Sequence, residues 1–311
     1  MTSNSPACPI CGSIREQICF RREPATEDAS RESLRGMFVN VVRCRDCRSA
    51  FVQRSFPESL LEEFYTQKAG GGNPVNRENF GWWLQNTETA IEQILSRIDN
   101  EVRGPLLDVG CGYGTLVYLA RQRGWDTTGL EINASFATFV RDELKIPCIE
   151  ALIDDTRLPR EHFRIIVLFD VLEHIYSPVD MLRRCWELLI PGGIIVVKSP
   201  NWRMQYVKES LKKSCGRGPG NIATIGHINQ FDRNSLTRAF SRAGFSTMDV
   251  SPSHSFLPGI RGCEFNWKRN TEYWFKKSYN LGVNAFYRVF GANLAFNLLG
   301  MARKLPAAVS K

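Results

Sequence analysis

The 311-residue sequence contains no run of about 18 uncharged apolar residues, so no membrane-spanning helix is expected. Its first residues, MTSNSPACPICGS, have neither a basic start nor an apolar core, so a secretory signal is not expected either. We also find no internal repeat. With 43% hydrophobic and 23% charged residues, the composition is that of a soluble globular protein. We expect it in the cytoplasm, and contact with a membrane surface stays open.

Acidic residues are scarce in the second half of the chain. From Asn201 onward there are 17 Lys and Arg against 5 Asp and Glu, whereas the first 200 residues have 23 against 27. A basic half of this kind can face an anionic substrate, a membrane surface or nucleic acid, and it can equally be a solvated surface. The net charge of +8 therefore leaves the partner open.

Disulfide bonds are not expected, because ten cysteines in a chain without an export signal favour a reducing compartment. Four of these cysteines form two C-x-x-C pairs, and two such pairs can supply four thiolates to one tetrahedral zinc ion. Because the motif leaves no open coordination position, we expect a structural zinc site. Unrelated buried cysteines and a redox C-x-x-C are the alternatives. The predicted ligands are Cys8, Cys11, Cys44 and Cys47, and the predicted core or surface thiols are Cys19, Cys111, Cys148, Cys185, Cys215 and Cys263.

Strand and helix patterns alternate from residue 87 onward. The strand pattern Ile165–Phe169 has no polar residue, as expected where both faces of a sheet are covered. Pro191-Gly192-Gly193 predicts a loop that ends the preceding helix. The order of elements predicts a doubly wound α/β fold with a parallel sheet. The predicted helices are 87–98, 115–123, 134–144, 179–189 and 234–243, and the predicted strands are 106–109, 126–130, 165–169 and 194–197.

The stretch LLDVGCGYGTLVYLA, residues 106–120, lacks the third glycine of a dinucleotide-binding turn. The fingerprint G-x-G-x-x-G would need a glycine where Thr115 stands. The pattern is instead D-x-G-x-G-x-G, with Asp108 two residues before the first glycine. An acid at this place suits a ligand whose nearby end carries a cation, such as the ammonium group of S-adenosylmethionine. A second acid, Glu131, ends the next predicted strand and can accept hydrogen bonds from ribose hydroxyls, as in many nucleotide-binding folds.

Two longer segments carry a family resemblance. Residues 163–201, FRIIVLFDVLEHIYSPVDMLRRCWELLIPGGIIVVKSPN, and residues 226–245, GHINQFDRNSLTRAFSRAGF, resemble the class I S-adenosylmethionine-dependent methyltransferases. The resemblance covers roughly residues 80–252 and departs from the family at Arg164, where relatives often carry Asp. It implies a Rossmann-like seven-stranded sheet with helices on both faces. The residues that it assigns to the cofactor are Asp108, Gly110, Gly112 and Gly114 at the methionine end, Glu131 at the ribose, Asp154 near the adenine, and Asp170.

Two histidines are candidates for the base that methyl transfer needs when the acceptor is a hydroxyl, an amine or a carbon acid. His227 is the first, because the resemblance places its segment after the family's fifth strand, which ends at Ser199-Pro200-Asn201, where it can fold over the cofactor pocket. A structural histidine bonded to a nearby carbonyl is the alternative reading. His174 is the second, within the D-x-x-E-H formed by Asp170, Glu173 and His174. This motif resembles the E-x-x-E-H of ubiquinone-biosynthesis O-methyltransferases, which implies that its acid and imidazole groups can hold a divalent cation.

Four regions follow from these patterns. Residues 1–60 form a small zinc-ribbon module, residues 61–100 a helical lid or linker, residues 101–255 the methyltransferase domain, and residues 256–311 a basic amphipathic helical extension. The first region resembles the zinc-binding region that precedes the methyltransferase domain in some sugar-modifying methyltransferases, with Arg48 where relatives often have glycine.

Two aromatic positions and one amphipathic stretch have open roles. In the lid, Tyr65 or Trp82 can line the substrate pocket, or both can be packing residues. In the extension, Asn284–Lys304 is amphipathic with cations at its ends, so it can lie on an anionic membrane, on the sheet or on a second subunit. The oligomeric state stays open.

The sequence thus predicts a methyltransferase that uses S-adenosylmethionine on a small-molecule acceptor. The resemblance of the cysteine region favours a nucleotide-linked or lipid-linked sugar in surface-glycan or secondary-metabolite synthesis. A ubiquinone-type or small-phenol O-methyltransferase is the runner-up, favoured by D-x-x-E-H and by the basic extension. The third hypothesis is a zinc-containing nucleic-acid-binding protein with a vestigial fold. We expect no specific nucleic acid, since no aromatic platform interleaves with the basic residues.

Overall fold

A computed structural model of the chain describes residues 7–22, 39–53, 59, 65–66, 74–214, 226–254, 267–290 and 293–305. The strands are β1 (Glu16–Arg22), β2 (Val39–Cys44), β3 (Ala50–Val52), β4 (Pro105–Val109), β5 (Asp126–Glu131), β6 (Cys148–Glu150), β7 (Phe163–Phe169), β8 (Leu189–Pro200), β9 (Asn229–Gln230), β10 (Ser246–Ser253) and β11 (Asn297–Arg303). The helices are α1 (Arg77–Ile98), α2 (Thr115–Gln122), α3 (Ala134–Asp142), α4 (Pro178–Leu188), α5 (Trp202–Ser214), α6 (Arg233–Arg242) and α7 (Trp267–Phe290), with a 3₁₀ turn at Leu172–His174. None of these helices is long and apolar enough to cross a bilayer.

Seven strands form the larger sheet, in the order β10-β11-β8-β7-β4-β5-β6. The five strands from β8 to β6 are parallel, and β11 pairs antiparallel with both β8 and β10. The strand order reverses between β4 and β7, which lie side by side although β5 and β6 separate them in the chain. This arrangement confirms the predicted Rossmann-like, doubly wound sheet of seven strands.

Both faces of the sheet are covered, as the apolar strand patterns predicted. In β7, Ile165 and Val167 pack with residues of α1 and α2, while Ile166 and Leu168 pack with residues of α4 and α6. All four side chains are fully buried. Burial of an aliphatic side chain contributes about 1.5–3 kcal/mol, so the central strands hold the two helical layers together.

The predicted helical extension at the C-terminal side of the chain is wrong in part, because it contains a strand. The stretch Asn284–Lys304 was expected to be one amphipathic helix, but α7 ends at Phe290 and β11 occupies Asn297–Arg303. β11 is an inner strand whose backbone pairs with β8 and β10, and Leu298 and Leu299 are fully buried. The sheet therefore takes one strand from outside the region 101–255 that was predicted as the methyltransferase domain. Pairing between strands so far apart in the chain overrides the local helical pattern.

The predicted loop at Pro191-Gly192-Gly193 is part of β8. The amide of Gly192 donates to the carbonyl of Lys304, and the amide of Lys304 donates to the carbonyl of Gly193, at 3.0 and 2.9 Å. Gly192 has a φ of 79°, and the pairing of β8 with β7 shifts register between Phe163 and Ile165. Gly192 and Gly193 therefore belong to the irregular first part of β8, because their backbone pairs with that of Lys304.

A second sheet of four strands joins the N-terminal region to the larger domain. Its order is β1-β2-β3-β9, so three strands come from the predicted zinc-binding module and β9 comes from the later part of the predicted methyltransferase domain. β3 and β9 pair antiparallel, Ala50 with Gln230 and Phe51 with Asn229. Backbone hydrogen bonds thus join the predicted zinc-binding module to the predicted methyltransferase domain.

Candidate functional site

A cavity of about 910 Å³ lies where the parallel strands of the larger sheet end at their carboxyl side. Ligand sites of open parallel sheets form in this crevice, and such cavities usually measure about 300–1,000 Å³. The volume leaves room for a nucleoside cofactor and a second small molecule. Residues that line it include Tyr65, Trp83, Asp108, Gly110, Gly112, Glu131, Asp154, Asp170, Glu173, His174, Lys198, Pro200, His227 and Asn297.

The glycine loop between β4 and α2 forms the floor of this cavity. Gly110, Gly112 and Gly114 have φ values of 70°, 51° and 74°, in the left-handed region that favours glycine. A Cβ added at Gly110 would come within 2.7 Å of a Val171 methyl group. At Gly112, an added Cβ would meet no atom of the described structure within 4 Å, so its backbone faces open space. The loop can therefore receive a ligand directly against its backbone.

Two buried acids flank the loop. Asp108 is 2% exposed, and its Oδ1 has no hydrogen-bond partner among the described residues. The oxygens of Glu131 accept hydrogen bonds from the amides of Gly112 at 2.8 Å and Asn133 at 2.9 Å. Burial raises the pKa of both carboxyls, and the neighbouring Glu131 raises that of Asp108 further. A positively charged ligand beside these carboxylates would stabilise their charged forms and so offset the cost of burying them. A phosphate would be repelled by these carboxylates, and the Gly112 amide that could bind it already donates to Glu131.

Asp170 follows β7 and binds a lysine that the sequence analysis missed. Both oxygens of Asp170 accept hydrogen bonds from Lys198 Nζ, at 2.7 and 2.5 Å. Lys198 is 2% exposed, and its ammonium group also lies 4.6 Å from the centre of the Phe169 ring. A lysine at the end of the apolar run GGIIVVK was the available signal. Its partner was not visible, because only the parallel register of β7 and β8 places the two side chains together.

The structure brings Glu173, His174 and His227 together, and their ligand atoms lie within 4.8 Å of one another. His227 thus takes the place that the D-x-x-E-H pattern had assigned to Asp170. Glu173 is 1% exposed, and neither of its oxygens has a hydrogen-bond partner among the described residues. Burial, and then the charge of Asp170, raise the pKa of Glu173 to about 7. One carboxylate and two imidazoles can hold a divalent cation or the polar groups of an acceptor.

The two histidines differ in their surroundings. His174 Nδ1 lies 2.6 Å from the carbonyl oxygen of Gly226 and 2.6 Å from the hydroxyl oxygen of Tyr65. A nitrogen this close to a carbonyl carries the proton, so His174 acts as a donor that holds the segment before His227. The sequence analysis had considered a carbonyl-bonded role for His227, and the structure gives this contact to His174. The His227 ring lies 4.7 Å from the His174 ring, and burial lowers the pKa of both.

Of the two aromatic lid residues considered, Tyr65 lines the cavity and Trp82 does not. Trp82 is 57% exposed, whereas its neighbour Trp83 lines the cavity. Both lie on α1, where successive residues point about 100° apart. Trp83 and Thr87, four residues apart, share the face toward the cavity. The sequence analysis named Trp82, whereas the orientation of the helix turns Trp83 toward the cavity.

The four predicted zinc ligands form one cluster. The Sγ atoms of Cys8 and Cys47 lie 3.5 Å apart, as do those of Cys11 and Cys44, and all four lie within 4.8 Å of one another. Bonds of about 2.3 Å to a tetrahedral zinc separate sulfur atoms by roughly 3.8 Å, so the spacing fits that ion. The two turns match, with the amide of Gly12 bonded to the carbonyl of Cys8 and that of Arg48 bonded to the carbonyl of Cys44.

Comparison with known sequences agrees with this geometry. Residues 82–250 match the sequence profile of the family described as "Methyltransferase domain". The ubiquinone biosynthesis O-methyltransferase of Histophilus somni is 27% identical over 139 residues, which are 39% of this chain and 58% of that protein. The enzyme of the same name from Cereibacter sphaeroides is 30% identical over 122 residues, or 35% and 49% of the two chains. The chain therefore spans about half the length of these curated relatives.

Comparison with solved structures supports the fold. A geranyl diphosphate methyltransferase in complex with GPP and sinefungin aligns with a TM-score of 0.52 at 16% identity, over 79% of this chain and 99% of the other. The geranyl diphosphate C-methyltransferase from Streptomyces coelicolor aligns with a TM-score of 0.51 at 16% identity, over 80% and 100%. At this identity the likeness concerns the backbone architecture alone.

Proposed function

The chain belongs to the methyltransferase-domain family, with the fold of class I S-adenosylmethionine-dependent enzymes, and we propose that it transfers a methyl group to a small-molecule acceptor. The observation that carries this proposal is the acid and glycine loop. Asp108 presents a buried oxygen without a partner among the described residues, beside a backbone that faces open space. The ammonium group of S-adenosylmethionine supplies the missing charge, and Glu131 lies at the end of β5 for the ribose.

The protein's own groups then have three tasks in methyl transfer. S-adenosylmethionine supplies an already activated methyl group. The cavity walls align the acceptor with that methyl group and exclude water, and alignment of this kind supplies much of the rate. His227 removes a proton from a hydroxyl or carbon acid, because its lowered pKa keeps the imidazole neutral near pH 7. Glu173, buried beside it, stabilises the imidazolium that forms.

A nucleotide-linked or lipid-linked sugar is the acceptor that we favour. The support is the cysteine region, which resembles that of some sugar-modifying methyltransferases and whose strand β3 pairs with β9 next to His227. The basic surface also suits an anionic carrier. On the exposed side of α7, Trp274, Leu281 and Val289 are 57%, 67% and 72% exposed. Apolar side chains on a basic helix suit contact with an anionic bilayer, which favours the lipid-linked form.

A small phenol is the second candidate. Relatives named ubiquinone biosynthesis O-methyltransferase match this chain, although over about half of their length. Glu173, His174 and His227 also form a group that can hold a divalent cation beside two phenolic oxygens.

We propose that the cysteine cluster binds one structural zinc ion. The sulfur spacing fits a tetrahedral site, and three of the four cysteines are buried. The hydrogen bond between Cys8 and Cys47 lowers the pKa of Cys47 and raises that of Cys8, so one thiolate of the pair is favoured and zinc binding would release the proton of the other. The ion would hold the two cysteine turns together at the end of the four-stranded sheet.

Methyl-labelled S-adenosylmethionine tests the acceptor class. We expect label in a sugar-nucleotide pool or, with a membrane lipid extract, in lipid from which mild acid releases a labelled sugar. Label that stays with the lipid after acid treatment would favour the phenol. The variant Asp108→Ala is the control, since it should transfer little label at the same cofactor concentration. No label in any fraction, together with no cofactor binding by calorimetry, would refute the proposed function.

The rate of methyl transfer should rise with pH in two steps. Burial and the neighbouring His174 lower the pKa of His227, so its protonation should stop the reaction only below 6.5, the ordinary value for imidazole. The pKa of Glu173 is about 7, and its ionisation places a negative charge near His227. We therefore expect a further rise in kcat through pH 7, which Glu173→Gln should remove. A flat profile from pH 6 to pH 8 in the wild-type protein would contradict this assignment.

A further inference from the structure

We propose that Asn229 is a positioning residue, which locks the turn that carries Glu173 and His174 to the segment that carries His227. Through it, the four-stranded sheet at the N-terminal end of the chain sets the geometry of methyl transfer. The inference rests on the proposed function and adds a residue and a structural route to it.

The side chain of Asn229 holds the turn directly. Its Nδ2 donates to the carbonyl oxygen of Ile175 at 2.5 Å and to that of Leu172 at 3.4 Å. Leu172–His174 is the 3₁₀ turn, so one amide holds the carbonyls on both sides of Glu173 and His174. Within the turn the Leu172 carbonyl also accepts from the Ile175 amide at 3.4 Å, and the shorter bond from Asn229 goes to the Ile175 carbonyl just beyond the turn. Asn229 is 4% exposed, so water does not readily replace it.

The backbone of the same residue belongs to the four-stranded sheet. Asn229 pairs with Phe51 and Gln230 pairs with Ala50, while the amide of Val52 donates to the carbonyl of Ile228 at 2.8 Å. β3 follows the second cysteine turn, which closes through the bond from the Cys44 amide to the Ser49 carbonyl at 2.9 Å. Consecutive hydrogen bonds therefore run from the cysteine cluster to Asn229.

A second contact fixes the other end of the His227 segment. His174 Nδ1 lies 2.6 Å from the carbonyl oxygen of Gly226, and the hydroxyl of Tyr65 donates to the same oxygen at 3.2 Å. The residues from Gly226 to Asn229 are thus tied to the turn on both sides of His227. If the Asn229 tie is lost, the two imidazoles and Glu173 can move relative to each other.

The cofactor side of the cavity does not depend on this tie. Asp108 lies on β4, Glu131 lies on β5, and the glycine loop joins β4 to α2. Both strands belong to the seven-stranded sheet and pair with neither β3 nor β9 in the described structure. Loss of Asn229 should therefore disturb alignment of the acceptor and leave cofactor binding intact. Displacement of reacting groups by about 1 Å can lower a rate on the order of 100-fold.

The test compares Asn229→Ala with a matched variant, Ser235→Ala. Ser235 is also buried and makes two side-chain hydrogen bonds to backbone, both with Asp232 at the start of α6. Neither Ser235 nor Asp232 lines the cavity. We expect Asn229→Ala to lower kcat by about 10- to 100-fold, with the dissociation constant of S-adenosylhomocysteine within about twofold of wild type. Ser235→Ala should lower the thermal midpoint by a similar amount and change kcat by less than about twofold. Asn229→Gln, which keeps the amide, should recover part of kcat.

A second readout does not require turnover. In Asn229→Ala, the ring resonances of His174 and His227 should shift in nuclear magnetic resonance spectra, and the Val52 amide should exchange faster with solvent. Equal losses of kcat in Asn229→Ala and Ser235→Ala, or unchanged histidine resonances, would overturn the positioning role. If the wild-type protein binds S-adenosylhomocysteine but methylates no acceptor, the proposed function fails, and the resonance shifts still decide the role of Asn229.

Discussion

Replacing His227 with alanine should lower kcat for methyl transfer by about 10²- to 10⁴-fold, the range expected for loss of a general base. The reason is that His227 lines the cavity, lies beside Glu173 and has a pKa lowered by burial, so it is neutral and basic near pH 7. The affinity for S-adenosylmethionine should change little, since Asp108, the glycine loop and Glu131 lie on or next to β4 and β5 and not on the His227 segment. Single-turnover kinetics with saturating cofactor and acceptor measure the effect.

His162→Ala is the control for this experiment. It removes an exposed imidazole that lies outside the cavity, so kcat should stay within about twofold of wild type. His174→Ala should also lower kcat, because it releases the carbonyl of Gly226, but an acid limb of the pH profile should remain. If His227→Ala keeps most of the activity and His174→Ala removes the acid limb, the roles of the two histidines are exchanged.

Replacing Cys44 with serine should remove the bound metal and destabilise the N-terminal part of the structure. Tetrahedral zinc in small modules contributes apparent binding free energies of about 10–16 kcal/mol, so the loss should reach several kcal/mol of unfolding free energy. Elemental analysis should find one zinc per wild-type chain and none in Cys44→Ser. Thermal unfolding should show an earlier transition for the variant.

The matched variant for the metal site is Cys19→Ser. Cys19 lies on β1 outside the cluster, and its substitution should leave zinc content and unfolding unchanged. Wild-type protein freshly purified without chelator and free of zinc would refute the structural zinc site. If a chelator removes the metal and both kcat and the protection of the β3–β9 hydrogen bonds fall together, the metal stabilises the arrangement of the histidines through this pairing.

Several features could be predicted from the sequence because they depend on neighbouring residues. The segment Ile165–Phe169 of β7 has no polar residue and so requires cover on both faces, and the alternation of strands and helices predicted the doubly wound sheet. The acid and three glycines from Asp108 to Gly114 predicted a tight turn at the cavity, and all three glycines have positive φ. The two C-x-x-C pairs predicted a four-cysteine cluster, and the structure brings these four sulfurs together.

The remaining features depend on contacts between residues far apart in the chain, which no local pattern encodes. The sequence by itself determined the strand and helix alternation, the glycine turn and the cysteine pairs. Only the tertiary structure decided that Asn297–Arg303 is an inner strand, that Lys198 neutralises Asp170, and that His227 joins Glu173 and His174. Backbone pairing holds β11, charge pairing holds Lys198 against Asp170, and the β3–β9 pairing and the Asn229 bond hold the segment next to His227. Such contacts outweigh the weaker preference of a short segment for helix or loop.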